Sequence, residues 1–289
     1  MITIKFYATK NIYRAYNEGG NYFASSTSKA KLIQKLKDQF NIIYSEEVKT
    51  GTIAKSEFTV KQRFDFISTF TKLVSKGVMN SLVITGDGGL GKTHTVLETL
   101  EKLGLKEDTI GEIDGDFVFI KGYSTPRNLY TSLYHNNGKT IVFDDCDNIT
   151  KDAIGANILK AALDSYERRI VSWGAENKDD SVPSRFEFTG KVIFISNLVL
   201  DKFPQAILSR SMLVDLSLNQ EEKIERIQQV FDSEDLYEAE DKTIVLDFIK
   251  RNVAKAKDLN IRSAMNLLKI KLALGKNWEL PALYNFSTN

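Results

Sequence analysis

The chain has 289 residues, 42% hydrophobic and 27% charged, the balance of a soluble globular protein long enough to bury a substantial core. Lys+Arg at 39 against Asp+Glu at 38 leave a net charge of +1, so no global attraction to nucleic acid or membrane is built in. One cysteine, Cys146, excludes an internal disulfide, two histidines argue against a Cys/His zinc site, and without a signal sequence or an apolar run near 18 residues a cytoplasmic, membrane-free location is expected.

Residues 1–57 read as a small α+β module. Ile2, Ile4 and Phe6 alternate with polar residues as in a half-buried strand, and the turn-forming run Asn17-Glu18-Gly19-Gly20-Asn21 leads into a second strand over 22–24. Ser26 or Thr27 can cap a helix over 29–40 with Leu32, Ile33, Leu36 and Phe40 as its apolar stripe, and 42–44 reads as a third strand. Lys29, Lys31, Lys35 and Lys37 make that helix basic, which reads as a solvated face or as a docking site for a protein partner or DNA.

Residues 58–217 change character. Phe64, Ile67, Phe70, Leu73 and Val74 predict a helix over 60–76, stopped at Gly77. Strands over 81–85, 117–121 and 139–144 then alternate with helices over 92–103, 126–134 and 153–166. Segments 168–173 and 185–188 flank a polar tip as a β-hairpin, and strands over 192–196 and 212–216 follow. Apolar strands alternating with helices predict a parallel sheet covered on both faces. Over 218–289 the strands cease, and helices over 221–231, 242–252 and 261–274 predict an all-α end.

The strand over 81–85 runs into Gly86-Asp87-Gly88-Gly89-Leu90-Gly91-Lys92-Thr93, which matches G-x-x-x-x-G-K-[ST] in its strand–loop–helix setting. Glycines let the backbone wrap an anion, and the helix N-terminus donates N–H groups to it. The nucleotide-contacting run is read as these eight residues and His94; as side chains, His94 and His135 read as ordinary helix residues. Lys92 would neutralise the β- and γ-phosphates and the Thr93 hydroxyl would enter a Mg²⁺ shell. The strand Thr140-Ile141-Val142-Phe143 delivers Asp144 to the metal and Asp145 to the attacking water.

The order of these motifs resembles the AAA+ ATPases over residues 58–275. That resemblance implies an α/β fold, a P-loop parallel sheet with a C-terminal helical lid, that binds and hydrolyses ATP with Mg²⁺. Ser196-Asn197 is similar to the family's sensor 1, in which Asn197 orients the lytic water. Ser209-Arg210-Ser211 is similar to the S-R-C box of clamp loaders, which makes Arg210 a finger acting in trans within a homo-oligomer or ring. Asn260-Ile261-Arg262-Ser263 looks like sensor 2, with Arg262 reaching the nucleotide from the lid.

Three features depart from the family pattern. Asp144-Asp145 stands where Asp-Glu is usual, which implies a site built for Asp or a slow hydrolase, and Asp-Asp followed by Ser-Asn also resembles viral superfamily 3 helicases. The hairpin over 168–188 sits where relatives often contact DNA, and Arg168, Arg169, Lys178, Arg185, Trp173 and Phe186 suit phosphates and stacked bases, against Glu176, Asp179 and Asp180 at its tip; a structural hairpin or a protein interface is the other reading. The stretch 135–139 leaves little room for the aromatic pore loop of unfoldases. A DNA-replication or DNA-remodelling ATPase of clamp-loader, helicase-loader or initiator type is therefore expected, with a nucleotide-gated assembly switch and a protein remodeller as alternatives.

Overall fold

The computed structural model describes residues 3–7, 12–16, 22–28, 31–32, 34–35, 56–109, 115–174 and 182–288, in two compact units, Met1–Ala54 and Lys55–Asn289. In the first unit β1 (Thr3–Tyr7), β2 (Ile12–Tyr16) and β3 (Tyr22–Ser26) form an antiparallel sheet in the order β1-β2-β3. The expected direct hairpin from 2–6 to 22–24 is thereby corrected, since β2 stands between them. The run Ile12-Tyr13-Arg14-Ala15-Tyr16 has strand-forming residues but no clean alternation, so periodicity did not mark it. Of the expected 29–40 helix, Lys31, Leu32, Gln34 and Lys35 are helical, with Leu32 buried and both lysines exposed. The turn over 17–21 and the strand over 42–44 lie outside the described residues.

The second unit opens with α1 (Val60–Ser75), started by a capping box in which Thr59 and Gln62 satisfy each other's backbone N–H groups. Five parallel strands follow, β4 (Ser81–Gly86), β5 (Phe117–Lys121), β6 (Thr140–Asp144), β9 (Lys191–Ile195) and β10 (Met212–Leu216), ordered β10-β4-β9-β6-β5. Their apolar runs split between two faces with the period of the strand. Leu82, Ile84, Val142, Ile193 and Ile195 pack on α1 and on α2 (Lys92–Lys102). Val83, Ile141, Phe143, Val192 and Phe194 pack on α3 (Pro126–His135), on α5 (Ala153–Ala162), which follows the short α4 (Asp147–Lys151), and on α6 (Gln205–Leu208). Each face is thus closed by its own helices, as the apolar runs required.

The handedness of crossovers explains that division. From β4 the chain crosses to β5 at the far edge, then every later connection steps back across the sheet. Right-handed crossovers in opposite directions must lie on opposite faces, so α2 covers one and α3, α5 and α6 the other. The helix expected over 153–166 ends at Ala162, where the Asp164 side chain accepts from the Ser165 N–H and offers the backbone a local alternative to the helix. Between α5 and β9, β7 (Ile170–Ser172) and β8 (Arg185–Glu187) pair antiparallel as the expected hairpin.

The chain ends in α7 (Gln220–Ser233), α8 (Ala239–Asn252), α9 (Ile261–Leu274) and α10 (Glu279–Thr288), which share a core including Phe231, Phe248, Leu267 and Phe286. The last of these helices was not anticipated, because Pro281 falls within it; it occupies the first turn, where no intrahelical N–H bond is lost. At the junction, buried Arg63 of α1 meets Glu222 of α7 at 2.5 Å and donates to the Ser217 carbonyl, while Glu222 also accepts from the Asn219 N–H. Removing either charge would strand the other in the interior, at a cost of about 3–5 kcal/mol.

Candidate functional site

Parallel pairing brings the carboxyl ends of four strands to one rim. Across it the register aligns Lys121 of β5 with Asp144 of β6, Asp144 with Ile195 of β9, and Ile195 with Ile84 of β4. The helices following β4 and β9 depart to opposite faces, so a crevice opens between these neighbours, the place where open α/β sheets hold ligands.

Into this crevice β4 sends the glycine loop. Gly86 has φ 122°, and a Cβ there would lie 2.4 Å from the Leu216 backbone. Gly89 has φ 71°, with a would-be Cβ 2.9 Å from the Asn260 side chain. Both positions need left-handed backbone and close approach, which excludes side chains. Gly91 caps α2 without any side-chain bond to its first turn, so the N–H groups there face the crevice uncapped.

Lys92 is the buried cation of the loop. Its Nζ donates to the carbonyls of Gly86 and Asp87, both at 2.7 Å, and to Asn197 Oδ1 at 2.9 Å. Burial lowers its pKa to about 8, against the upward pull of Asp144, Asp145, Asp87 and Asp147. Thr93 Oγ1 donates to Asp144 Oδ2 at 3.2 Å, and Lys121 Nζ stands 3.4 Å from the same oxygen. A hydroxyl and a carboxylate oxygen side by side can serve a hard divalent cation that takes its remaining ligands from water or phosphate. Among the described residues, no group of three or more His, Cys, Asp and Glu side chains is arranged to hold a metal by itself.

Asp145 has φ 57°, left-handed backbone that costs a non-glycine residue roughly 1–2 kcal/mol and that Asp tolerates better than most. Its Oδ1 accepts from Asn197 Nδ2 at 2.6 Å. The Asn197 amide therefore bridges Lys92 on its oxygen side and Asp145 on its nitrogen side. Ser196 Oγ, beside it, donates to Asp147 Oδ1 and accepts from the Leu198 N–H, which fixes the end of β9. Cys146 is buried, its thiol pushed up to about 11 chiefly by burial, so it is no nucleophile.

The helical bundle closes the crevice into a cleft of about 940 Å³. Ile261 N–H donates to the Gly89 carbonyl at 3.0 Å, Lys223 pairs with Asp87 at 2.6 Å, and Arg226 Nε donates to the Leu90 carbonyl at 3.3 Å. Of the residues singled out by sequence, Gly88, Gly89, Gly91, Lys92, Thr93, His94, Asp144, Asp145, Asn197 and Arg262 line this one cleft. Gly86 contributes its carbonyl to Lys92, Asp87 turns its carboxylate to Lys223, and the Leu90 side chain is buried in the core. Arg210 does not line the cleft; its guanidinium donates to the Ala206 carbonyl at 2.8 Å and stands 3.8 Å from Asp164. Sequence reasoning missed Lys121, Phe64 and Arg226. Lys121 ends a parallel strand and so carried a positional signal, whereas Arg226 lies mid-helix with none.

In the hairpin, three of the named residues take the structural reading. Arg169 is buried, donating to the carbonyls of Ala162 and Gly190 at 2.8 and 2.9 Å, so it is structural and not a phosphate contact. Phe186 packs against Tyr130 and Tyr134 of α3, with ring centroids 5.3 Å apart in each pair, and Trp173 lies 5.7 Å from Tyr130. These rings face the core and not a base. Arg168 pairs with Glu187 at 3.1 Å on the surface and Arg185 is exposed. Glu176, Lys178, Asp179 and Asp180 lie outside the described residues.

No family model matches the chain. Over 241 residues it is 29% identical to an uncharacterized 36.7 kDa protein of the nrdC-mobD intergenic region of Enterobacteria phage T4, covering 76% of this chain and 72% of that protein. Among solved structures, a chain of the E. coli MS115-1 HORMA:CdnC:Trip13 complex is similar with a TM-score of 0.44 and 12% identity, over 80% of this chain and 88% of that one. Among the described residues no helix is long and apolar enough to cross a membrane.

Proposed function

We propose that this chain is a Mg²⁺-dependent P-loop ATPase of AAA+ type, with the helical bundle as its lid. The observation that carries the reading is the cluster at the sheet rim. A buried ammonium, an uncapped helix N-terminus and a hydroxyl–carboxylate pair converge within one cleft large enough for a nucleotide. Lys92 would leave its two carbonyl partners for the phosphate oxygens, and Thr93 with Asp144 would hold Mg²⁺, which supplies charge neutralisation at the β- and γ-phosphates. Asp145 would polarise the water attacking the γ-phosphorus while Asn197 orients it; the bond to the leaving ADP oxygen then breaks. Arg262 faces the same cleft from the lid.

Arg210 stands outside its own cleft, which suits a finger serving a neighbouring copy in an oligomer. The connection from α3 to β6 is only 136–139, short for a threading loop, which favours a DNA-replication or DNA-remodelling role over a protein unfoldase. One observation favours a second reading, a nucleotide-gated assembly switch with slow turnover: the Asp145 carboxylate is short and is already engaged by Asn197 at 2.6 Å.

Phosphate release from Mg-ATP, measured across protein concentrations with and without DNA, tests these readings. A more than linear rise with concentration, lost in Arg210→Ala, is the result expected of a trans finger. Asp144→Asn should bind nucleotide and lose Mg²⁺-dependent turnover. Wild-type protein that binds no nucleotide at all would end the proposal; binding and oligomerisation with almost no turnover would select the switch.

A further inference from the structure

Arg226 of α7 is a cation in the cleft that nothing so far accounts for. Its guanidinium lies 3.6 Å from the centroid of the Phe64 ring, and its Nε is tethered to the Leu90 carbonyl at 3.3 Å. A Cβ on Gly91 would meet its Nη2 at 3.2 Å, so that edge of the fork sits over the N-cap of α2. The remaining contact is a long one, from Nη1 to Gln229 Oε1 at 3.4 Å. Asp65 and Glu234 also line the cleft, yet neither forms an ion pair with Arg226, and Glu98 is occupied by Lys102 at 2.8 Å. Burial alone lowers its pKa, to about 10, with no carboxylate pulling the other way.

A stacked, tethered guanidinium with one edge over a helix N-terminus is a fork held ready for an oxyanion. Resting on the nucleotide reading above, we infer that Arg226 is a phosphate-binding residue delivered by the helical bundle, contacting the phosphate chain on the side of the cleft between Gly91 and Phe64. Because the same residue touches the loop through Leu90, an anion it grips would also fix α7 against the loop. Such a contact is specific to phosphate-bearing ligands: it discriminates ATP and ADP from adenosine.

The test is calorimetric titration of the full chain with Mg-ATP, Mg-ADP and adenosine, in wild type, Arg226→Met and Arg226→Lys. The Met variant should bind ATP and ADP about 10- to 100-fold more weakly, the range of one charge-assisted contact, with adenosine binding within about twofold. Lys should recover part of the loss, since it restores charge without the planar fork. If Arg226→Met fails to fold, Arg226→Gln keeps a planar polar head on the Phe64 face and is read the same way. Equal binding of ATP by wild type and a folded variant would overturn the inference and leave the nucleotide reading standing. A matching loss for adenosine would overturn it too, since Arg226 would then shape the cleft and not grip phosphate. Wild type that binds neither nucleotide removes both.

Discussion

The sheet rim and the hairpin β7–β8 both carry basic residues beside residues suited to a ligand, and they use them in opposite ways. At the rim, Lys92 is buried on carbonyl and amide oxygens that a stronger anion can replace, next to an open cleft. In the hairpin, Arg169 is buried on two carbonyls that have no replacement donor, and Trp173 and Phe186 are packed into the α3 aromatics. The difference is access. A buried cation is available for ligand only where its partners face a cleft; elsewhere it is a strut.

Substitutions in the two regions would break or sharpen that contrast. The largest effect is expected of Lys92→Ala, which removes the buried ammonium and should weaken Mg-ATP binding by about 100-fold or more in calorimetry. Unchanged affinity would make the rim no more a ligand site than the hairpin. Next, Arg169→Met leaves the Ala162 and Gly190 carbonyls without donors, and a loss of about 2–4 kcal/mol should appear in urea unfolding with nucleotide affinity retained per folded molecule. A stable Arg169→Met protein with lost DNA binding would reverse its assignment as a strut.

Gly89→Ala should cost about 1–3 kcal/mol, because the new Cβ demands left-handed backbone and presses on the buried Asn260 side chain that caps α9. Its signature is a drop in melting temperature accompanied by weaker nucleotide binding, since loop and bundle meet there through Ile261. Smallest is Arg168→Ala, an exposed pair with Glu187 worth less than about 0.5 kcal/mol. If DNA stimulates phosphate release and Arg168→Ala with Arg185→Ala abolishes the stimulation, the hairpin's outer edge is a nucleic-acid surface after all; unchanged stimulation would leave the hairpin purely structural.

Much of the architecture was legible because the signals are local. β5, β10 and α9 fall where their apolar runs and caps put them, and the strand–loop–helix around Lys92 was readable from glycine spacing alone. Elements without a clean period were missed: β2 with its unpatterned Ile12–Tyr16, the five-residue α4, the four-residue α6, and α10 with Pro281 in its first turn. The helix over 153–166 was overrun because apolar periodicity does not register the bond Asp164 makes to its neighbour.

The sequence by itself determined that strands and helices alternate, that a glycine loop opens α2, and that Asp144 and Asn197 each stand at the end of an apolar strand; each follows from residue type and spacing within a dozen positions. Only the tertiary structure decided which charges share a cleft and which are locked in the interior. Arg169 and Arg226 are alike as residue types, but one is sealed beneath a hairpin and the other is tethered at the mouth of the glycine loop. That outcome depends on partners 7 and 21 residues away for Arg169 and 136 residues away for Arg226, and contacts across such separations are set by the packing of the folded chain and not by any local pattern.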